Sequence, residues 1–365
     1  MNRPTMRAVV VTPKQPHSTR LIERPIPERG PDEYFIRCLE VGIDGTDQEI
    51  VAGLYGEAPH GEDVLILCHE SLGEVVEGCS SDEIFCVGDL VVPTVRRPDP
   101  ERCLNCRVGE FDFCLNGKYR ERGIKQLHGY LSDYYAERAE YLIRIPAESR
   151  RIAVLLEPLA VVEKAYRQVS EIQRRMRWQP ARVVVVGAGS IGMLAMMIGL
   201  LRGLEVVVYS RHDPQGTRAE ILRNTGATYV NSDKQTMEDM AKELGAPDIL
   251  FEATGHSPFA WQGAGILRTN GIACLLSVTG GDREAVIPSD RLNANLVLGN
   301  RLIFGSVNQH RIDFEQALVD LTAAEQRWPG LTAKYITRTF PLEQFRDALA
   351  PRERGDLKTV VRVAT

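Results

Sequence analysis

The chain has 365 residues, more than a single hydrophobic core ordinarily holds, so two domains are expected. Its 44% hydrophobic and 25% charged residues are an ordinary globular balance, and a net charge of −5 leaves no basic surplus for nucleic acid. Eight cysteines are too sparse for a disulfide scaffold, and the longest apolar run, residues 191–201, falls short of the roughly 20 residues of a membrane span.

In chain order, Met1 to Met6 lead straight into Arg7-Ala8-Val9-Val10-Val11, a strand pattern with no secretory signal before it. A cytoplasmic protein with no membrane partner is expected. To about residue 155, short β-like runs (34–41, 72–77, 89–93) alternate with Gly, Pro and Asp, which predicts an all-β, barrel-like domain with long loops. After Glu157-Pro158-Leu159 the texture changes. Residues 160–169 read as helix and 174–180 as a polar linker. Strands are then predicted at 182–186, 205–209, 248–252, 272–277 and 301–307, with helices at 191–201 and 217–224. Strands alternating with helices imply a parallel, doubly wound sheet, so the chain is α/β. The tail carries a helix (314–325) and a terminal strand (359–363). The expected division is 1–164, 165–307 and a return to the first domain over 308–365.

The run Val183-Val184-Val185-Val186-Gly187-Ala188-Gly189-Ser190-Ile191-Gly192 is a strand entering G-x-G-x-x-G and then a helix. Glycines there permit a tight turn and close approach of a pyrophosphate, and the helix N-terminus offers free N–H groups. The next strand ends in Ser210-Arg211-His212, where an NAD site usually places a carboxylate; Asp213 follows too late. A cation in that place suits the 2′-phosphate of NADP, with some use of NAD.

Two further clusters suggest metal. Gly42-Ile43-Asp44-Gly45-Thr46-Asp47 and Cys68-His69-Glu70 offer two carboxylates, an imidazole and a neighbouring hydroxyl, and Glu157 lies at the predicted domain junction, where a cleft is expected. Singly, Asp44 reads as a turn aspartate and His69 as a buried core histidine. Together, ahead of a nucleotide fold, they read as a catalytic zinc site with three protein ligands and an open position. Cys103-Leu104-Asn105-Cys106 with Cys114 reads as a structural zinc lobe whose fourth ligand is Asp99, Glu101 or Asp112. Cys38, Cys68, Cys79, Cys86 and Cys274 lack such spacing and read as small hydrophobes.

These segments resemble the zinc-dependent medium-chain dehydrogenases along nearly the whole chain. The family's G-x-C-G-T-D stands here as Gly42 to Asp47 with Asp44 for cysteine, its G-H-E as Cys68-His69-Glu70, and its four-cysteine loop lacks the first cysteine, replaced by Pro100. Phe251-Glu252-Ala253-Thr254-Gly255 resembles the family's nicotinamide-side strand. Tyr119-Arg120-Glu121-Arg122-Gly123-Ile124, His128-Gly129-Tyr130, Glu157-Pro158-Leu159-Ala160-Val161-Val162-Glu163-Lys164 and Phe304-Gly305-Ser306-Val307-Asn308 are similar to the archaeal-type glucose 1-dehydrogenase branch. Some halophilic members of that branch also carry aspartate at the first ligand position, although this composition is less acidic than a strongly halophilic protein's.

The resemblance implies a GroES-like catalytic domain and a Rossmann domain, zinc on Asp44, His69 and either Glu70 or Glu157, and sugar contacts from Thr46, Glu121, Glu157 and Asn308. It places the cofactor on Gly187, Ala188, Gly189, Ser190, Ile191, Gly192, Ser210, Arg211, His212, Ser277, Val278 and Asn308. The implied reaction is oxidation of D-glucose at C1 with hydride transfer to NADP+ or NAD+, in a homodimer or homotetramer whose interface lies near residues 291–301. The alternatives are a polyol or amino-alcohol dehydrogenase of the same family, or a non-catalytic NADP-binding regulator.

Overall fold

The computed structural model describes residues 4–78, 84–211, 213–280, 282–351 and 353–364, and Cys79 and His212 lie outside them. Two units are distinguished. One comprises residues 1–157, 308–318 and 336–365, the other 158–307 and 319–335.

In the second unit, Arg182–Val186 is the central strand. Its four valines are buried, as befits a β-branched strand covered on both faces. It pairs in parallel with Glu205–Ser210 on one side and Ile249–Glu252 on the other. The six-stranded sheet runs Thr228–Asn231, Glu205–Ser210, Arg182–Val186, Ile249–Glu252, Ile272–Leu275, Leu302–Gly305. Strand order thus reverses beside Arg182–Val186, and that switch point is where open parallel sheets take ligands. The following helix, Ser190–Leu201, is apolar all round and buried along most of its length. Thr228–Asn231 and the helices Met237–Leu244, Ser257–Ile266 and Ser289–Leu298 are additions to the elements predicted from sequence. The strand has only four residues, too few to display a period.

In the first unit, Glu33–Ile43 is the hub of a seven-stranded sheet. It pairs antiparallel with Glu70–Glu77, Lys358–Arg362 and Tyr134–Arg138. The terminal strand sets Thr359 opposite Ile43 and Val360 opposite Gly42, which carries Lys358 to the end of the hub strand. The tail also holds a strand, Ile336–Pro341, absent from the sequence expectation because its side chains are mostly half-exposed.

The unit boundaries differ from those predicted. The first falls at 157 rather than 164, just inside helix Leu156–Gln173, and residues 319–335 group with the second unit. Helix Arg311–Arg327 is buried at Phe314 and Ala317 in its first half and at Leu321 and Ala324 in its second, and the division between the units falls between these two pairs. No helix among the described residues is long and apolar enough to cross a membrane.

Candidate metal centre and nucleotide site

Asp44 is the N-cap of helix Gly45–Val51. Its Oδ1 accepts from Asp47 N at 3.0 Å, and Asp47 Oδ2 accepts from Asp44 N at 3.0 Å, completing a capping box. The cap therefore uses one oxygen of Asp44. The other, Oδ2, lies 3.6 Å from His69 Nε2. His69 immediately precedes strand Glu70–Glu77, and Cys68 before it holds φ 70. A non-glycine residue in that left-handed region costs roughly 1 kcal/mol or more. Glu70 faces Gly42 across the strand pair. A Cβ on Gly42 would stand 1.9 Å from Glu70 Oε2, so only glycine leaves room for this carboxylate. Both Glu70 oxygens lie 2.6 Å from Lys358 Nζ.

Donor atoms of Asp44, His69 and Glu70 all fall within 4.8 Å of one another. Burial opposes a charge on His69, but Asp44, Glu157, Asp47 and Glu70 outweigh it and raise the imidazole to about 9. Burial, reinforced by Asp44, pushes Asp47 up to about 8. Burial, with Glu70 and Asp44, pushes Glu157 up to about 7. His69 Nδ1 is buried without a partner among the described residues. Two hard oxygens, an imidazole and a surplus of buried acid fit a divalent cation such as zinc.

Glu157 is outside that group of three but acts on its charge. Its Oε1 accepts from Gln309 Nε2. The preceding residue, Asn308, donates through Nδ2 to Glu121 Oε1 at 2.8 Å. Two successive residues thus tie down the two acids of the expected sugar site. Glu121 reaches this neighbourhood because the turn after its strand lies on the residue before His69: a Cβ on Gly123 would be 2.5 Å from Cys68 O. Thr46 is half-buried in the first turn of helix Gly45–Val51. Sequence reasoning missed Lys358, Gln309 and Arg96 as members of this region. A lysine at a strand start and a glutamine after an asparagine carry no local signal of their distant partners.

In the cysteine lobe, the sulfurs of Cys103, Cys106 and Cys114 form one group within 4.8 Å. Backbone N–H groups of Cys106 and Leu115 lower the Cys103 thiol to about 7. Asp99 does not join them. Its oxygens accept from Glu101 N at 2.9 Å and Asn116 Nδ2 at 2.7 Å, which holds the loop. Glu101 pairs with Lys118 at 2.7 Å, and neither Glu101 nor Asp112 joins the thiols. Cys38, Cys68 and Cys274 are buried as expected, whereas Cys86 is exposed.

At the nucleotide fingerprint, Gly187 to Gly189 turn from strand Arg182–Val186 into helix Ser190–Leu201, with Ala188, Ile191 and Gly192 around the turn. A Cβ on Gly192 would lie 2.0 Å from Gly187 O, so glycine is required for the close packing. No side chain caps the helix, and Ser190 Oγ is buried without a partner among the described residues. Free N–H groups and an unused hydroxyl fit an anionic pyrophosphate. Ser210 ends its strand and Arg211 is exposed just beyond it. Asp213 is engaged by Asn231 Nδ2 at 2.9 Å and Lys234 Nζ at 2.7 Å. Ser277 and Val278 follow strand Ile272–Leu275 in a loop, Val278 exposed.

Comparison with known proteins fits both halves. A family model described as alcohol dehydrogenase GroES-like domain matches residues 30–147, and one described as glucose dehydrogenase C-terminus matches residues 150–363. Glucose 1-dehydrogenase of Methanocella arvoryzae is 41% identical over 358 residues, covering 98% of this chain and 99% of its own. That of Thermoproteus tenax is 38% identical, covering 99% and 100%. Among solved structures, Haloferax mediterranei glucose dehydrogenase in complex with NADP, Zn and gluconolactone matches with a TM-score of 0.90 at 33% identity, over 99% of this chain and all of that one.

Proposed function

This chain belongs to the glucose dehydrogenase family, with its alcohol dehydrogenase GroES-like domain, and on that premise we propose that it oxidises D-glucose at C1 to the aldonolactone. Hydride passes to NADP+, with NAD+ a weaker acceptor. The observation that carries this reading is the group Asp44, His69 and Glu70 in the same unit as the linked pair Glu121 and Asn308. A metal donor set and polar partners for a polyhydroxylated substrate are what aldose oxidation needs.

Bound zinc supplies a Lewis acid that favours loss of the anomeric hydroxyl's proton, and the nicotinamide supplies the hydride acceptor. The chain's own residues hold and orient. Asp44 and His69, with Glu70 or Glu157, hold the metal. Thr46 takes the substrate's reacting hydroxyl and passes its proton towards solvent. Glu121, Glu157 and Asn308 accept from or donate to the remaining hydroxyls, so that an epimer would leave buried polar groups unpaired. Ser190 and the N–H groups of its helix take the pyrophosphate, and Arg211 takes the 2′-phosphate. Cys103, Cys106 and Cys114 hold a second, structural zinc. The enzyme is a cytoplasmic homodimer or homotetramer. Two features support association: Leu302–Gly305 is the open edge of its sheet, and Val297 and Leu298 beside it are exposed.

The deciding experiment offers NADP+ with glucose, galactose, xylose or sorbitol, before and after zinc removal. Zinc-dependent reduction with glucose preferred is expected. Preference for sorbitol would select the polyol reading, and no turnover with any of them the regulator reading. A second measurement concerns the cofactor. Arg211→Ala should lower the ratio of kcat/KM for NADP+ over NAD+ roughly tenfold or more, the scale of one charge-assisted contact to phosphate. An unchanged ratio removes Arg211 from the specificity role.

A further inference from the structure

Glu121 is held in an unusual way. Its strand, Arg120–Arg122, pairs antiparallel with Arg96–Arg97, and Arg96 stands directly opposite Glu121, so the two side chains are cross-strand neighbours on one face. Arg96 Nε donates to Glu121 Oε1 at 3.0 Å, and Nη2 lies 2.9 Å from that same oxygen. Asn308 Nδ2 adds a third donor to it at 2.8 Å. An arginine fork ordinarily spreads over both oxygens of a carboxylate. Here every donor converges on Oε1, and Oε2 accepts no hydrogen bond among the described residues.

The guanidinium is fixed as firmly as its partner. Arg96 is 4% exposed. Its Nη1 donates to Asp112 O at 3.0 Å. Its central carbon lies 3.7 Å from the Tyr119 ring centroid, and Lys125 Nζ stands 4.5 Å from that centroid. A buried arginine so constrained has one orientation to offer, and that orientation leaves Oε2 of Glu121 as the acceptor without a donor.

We propose that Arg96 is a positioning residue for sugar recognition. It fixes the Glu121 carboxylate through Oε1 so that Oε2 is presented, pre-oriented, to a hydroxyl of the aldose. Arg96 does not touch the substrate; it acts through Glu121. The ordering entropy of the acceptor is thereby met on folding instead of on binding. This inference rests on the reading of Glu121 as a sugar contact.

The test compares Arg96→Met, Arg96→Lys, Glu121→Gln and the double variant Arg96→Met/Glu121→Gln in the zinc-loaded enzyme. Expected are rises of roughly tenfold or more in glucose KM for Glu121→Gln and Arg96→Met, with kcat and the KM for NADP+ within about twofold. The double variant should be no worse than the poorer single one, because both remove the same contact. Arg96→Lys, which keeps the charge but not the fork, should fall between wild type and Arg96→Met. It carries the comparison alone should Arg96→Met fail to fold. Additive effects, or a glucose KM unchanged by either Arg96 substitution while Glu121→Gln raises it, overturn the role of Arg96. A glucose KM unchanged in Glu121→Gln overturns the underlying sugar-contact reading and this proposal with it.

Discussion

Asp44→Asn should lower kcat/KM for glucose about a thousandfold and strip the chain of its catalytic zinc, while the melting temperature stays close to that of wild type. The separation follows from the two jobs of this side chain. Oδ1 caps helix Gly45–Val51 through Asp47 N, and Oδ2 faces His69 Nε2. Asparagine caps a helix about as well as aspartate does, so the cap survives. The carboxamide is a neutral, poorer metal donor, and losing a Lewis acid worth several kcal/mol of transition-state stabilisation gives the loss of about 10³. Zinc per chain, measured beside kcat/KM, checks the assignment. Activity above roughly a tenth of wild type, with zinc retained, would sink it. Asp44→Cys reverses the trade. A thiolate is a softer ligand and should retain zinc better under mild chelation than the native carboxylate, while the poorer cap costs about 1 kcal/mol of helix stability. Equal zinc retention would show that the carboxylate does not weaken the site.

How far these features can be read from sequence depends on the range of the interaction that fixes them. The strand Arg182–Val186 and the glycine turn after it are local: four valines and a spacing of glycines specify both, and the structure reproduces them. Asp44 and His69 were legible as a pair because each sits in a short motif, and a chain reversal brings Ile43 and Glu70 to adjoining strands. The environment of that pair was not legible. Lys358 arrives from the last strand and Gln309 from the segment after Leu302–Gly305, and only the register of distant strands puts them there. Asp99 shows the converse. Its position in sequence beside Cys103 suggests a ligand, but its oxygens fold back onto Glu101 N and Asn116, as a loop aspartate commonly does. The boundary at 157 was hidden because helix Leu156–Gln173 runs through it without a break.

Lys358→Met is the substitution with the largest expected effect on stability. Lys358 and Glu70 are each 1% exposed in their side chains, with Nζ 2.6 Å from the carboxylate, and Nζ also approaches Ile43 O at 3.4 Å. Removing the ammonium strands a buried carboxylate, which costs about 3–5 kcal/mol. For a unit of this size that is a fall of roughly 10 °C in the first melting transition. Glu70→Gln alone should be costly too, because it strands the lysine. The double variant Glu70→Gln/Lys358→Met removes both charges and should recover most of the loss, since exchanging a buried ion pair for neutral groups of similar volume is often close to neutral. Recovery must not extend to activity. Glu70 is in the donor group with Asp44 and His69, so the double variant should melt near wild type and still turn over glucose poorly. A melting temperature for Lys358→Met within about 2 °C of wild type would mean that the pair contributes little, and a double variant melting as low as Lys358→Met would place the cost in packing and not in charge. If the expected order is found, a buried ion pair ties the last strand to the metal centre in addition to its pairing with Glu33–Ile43, and Gly42 has to be glycine because that pair's carboxylate lies directly over it.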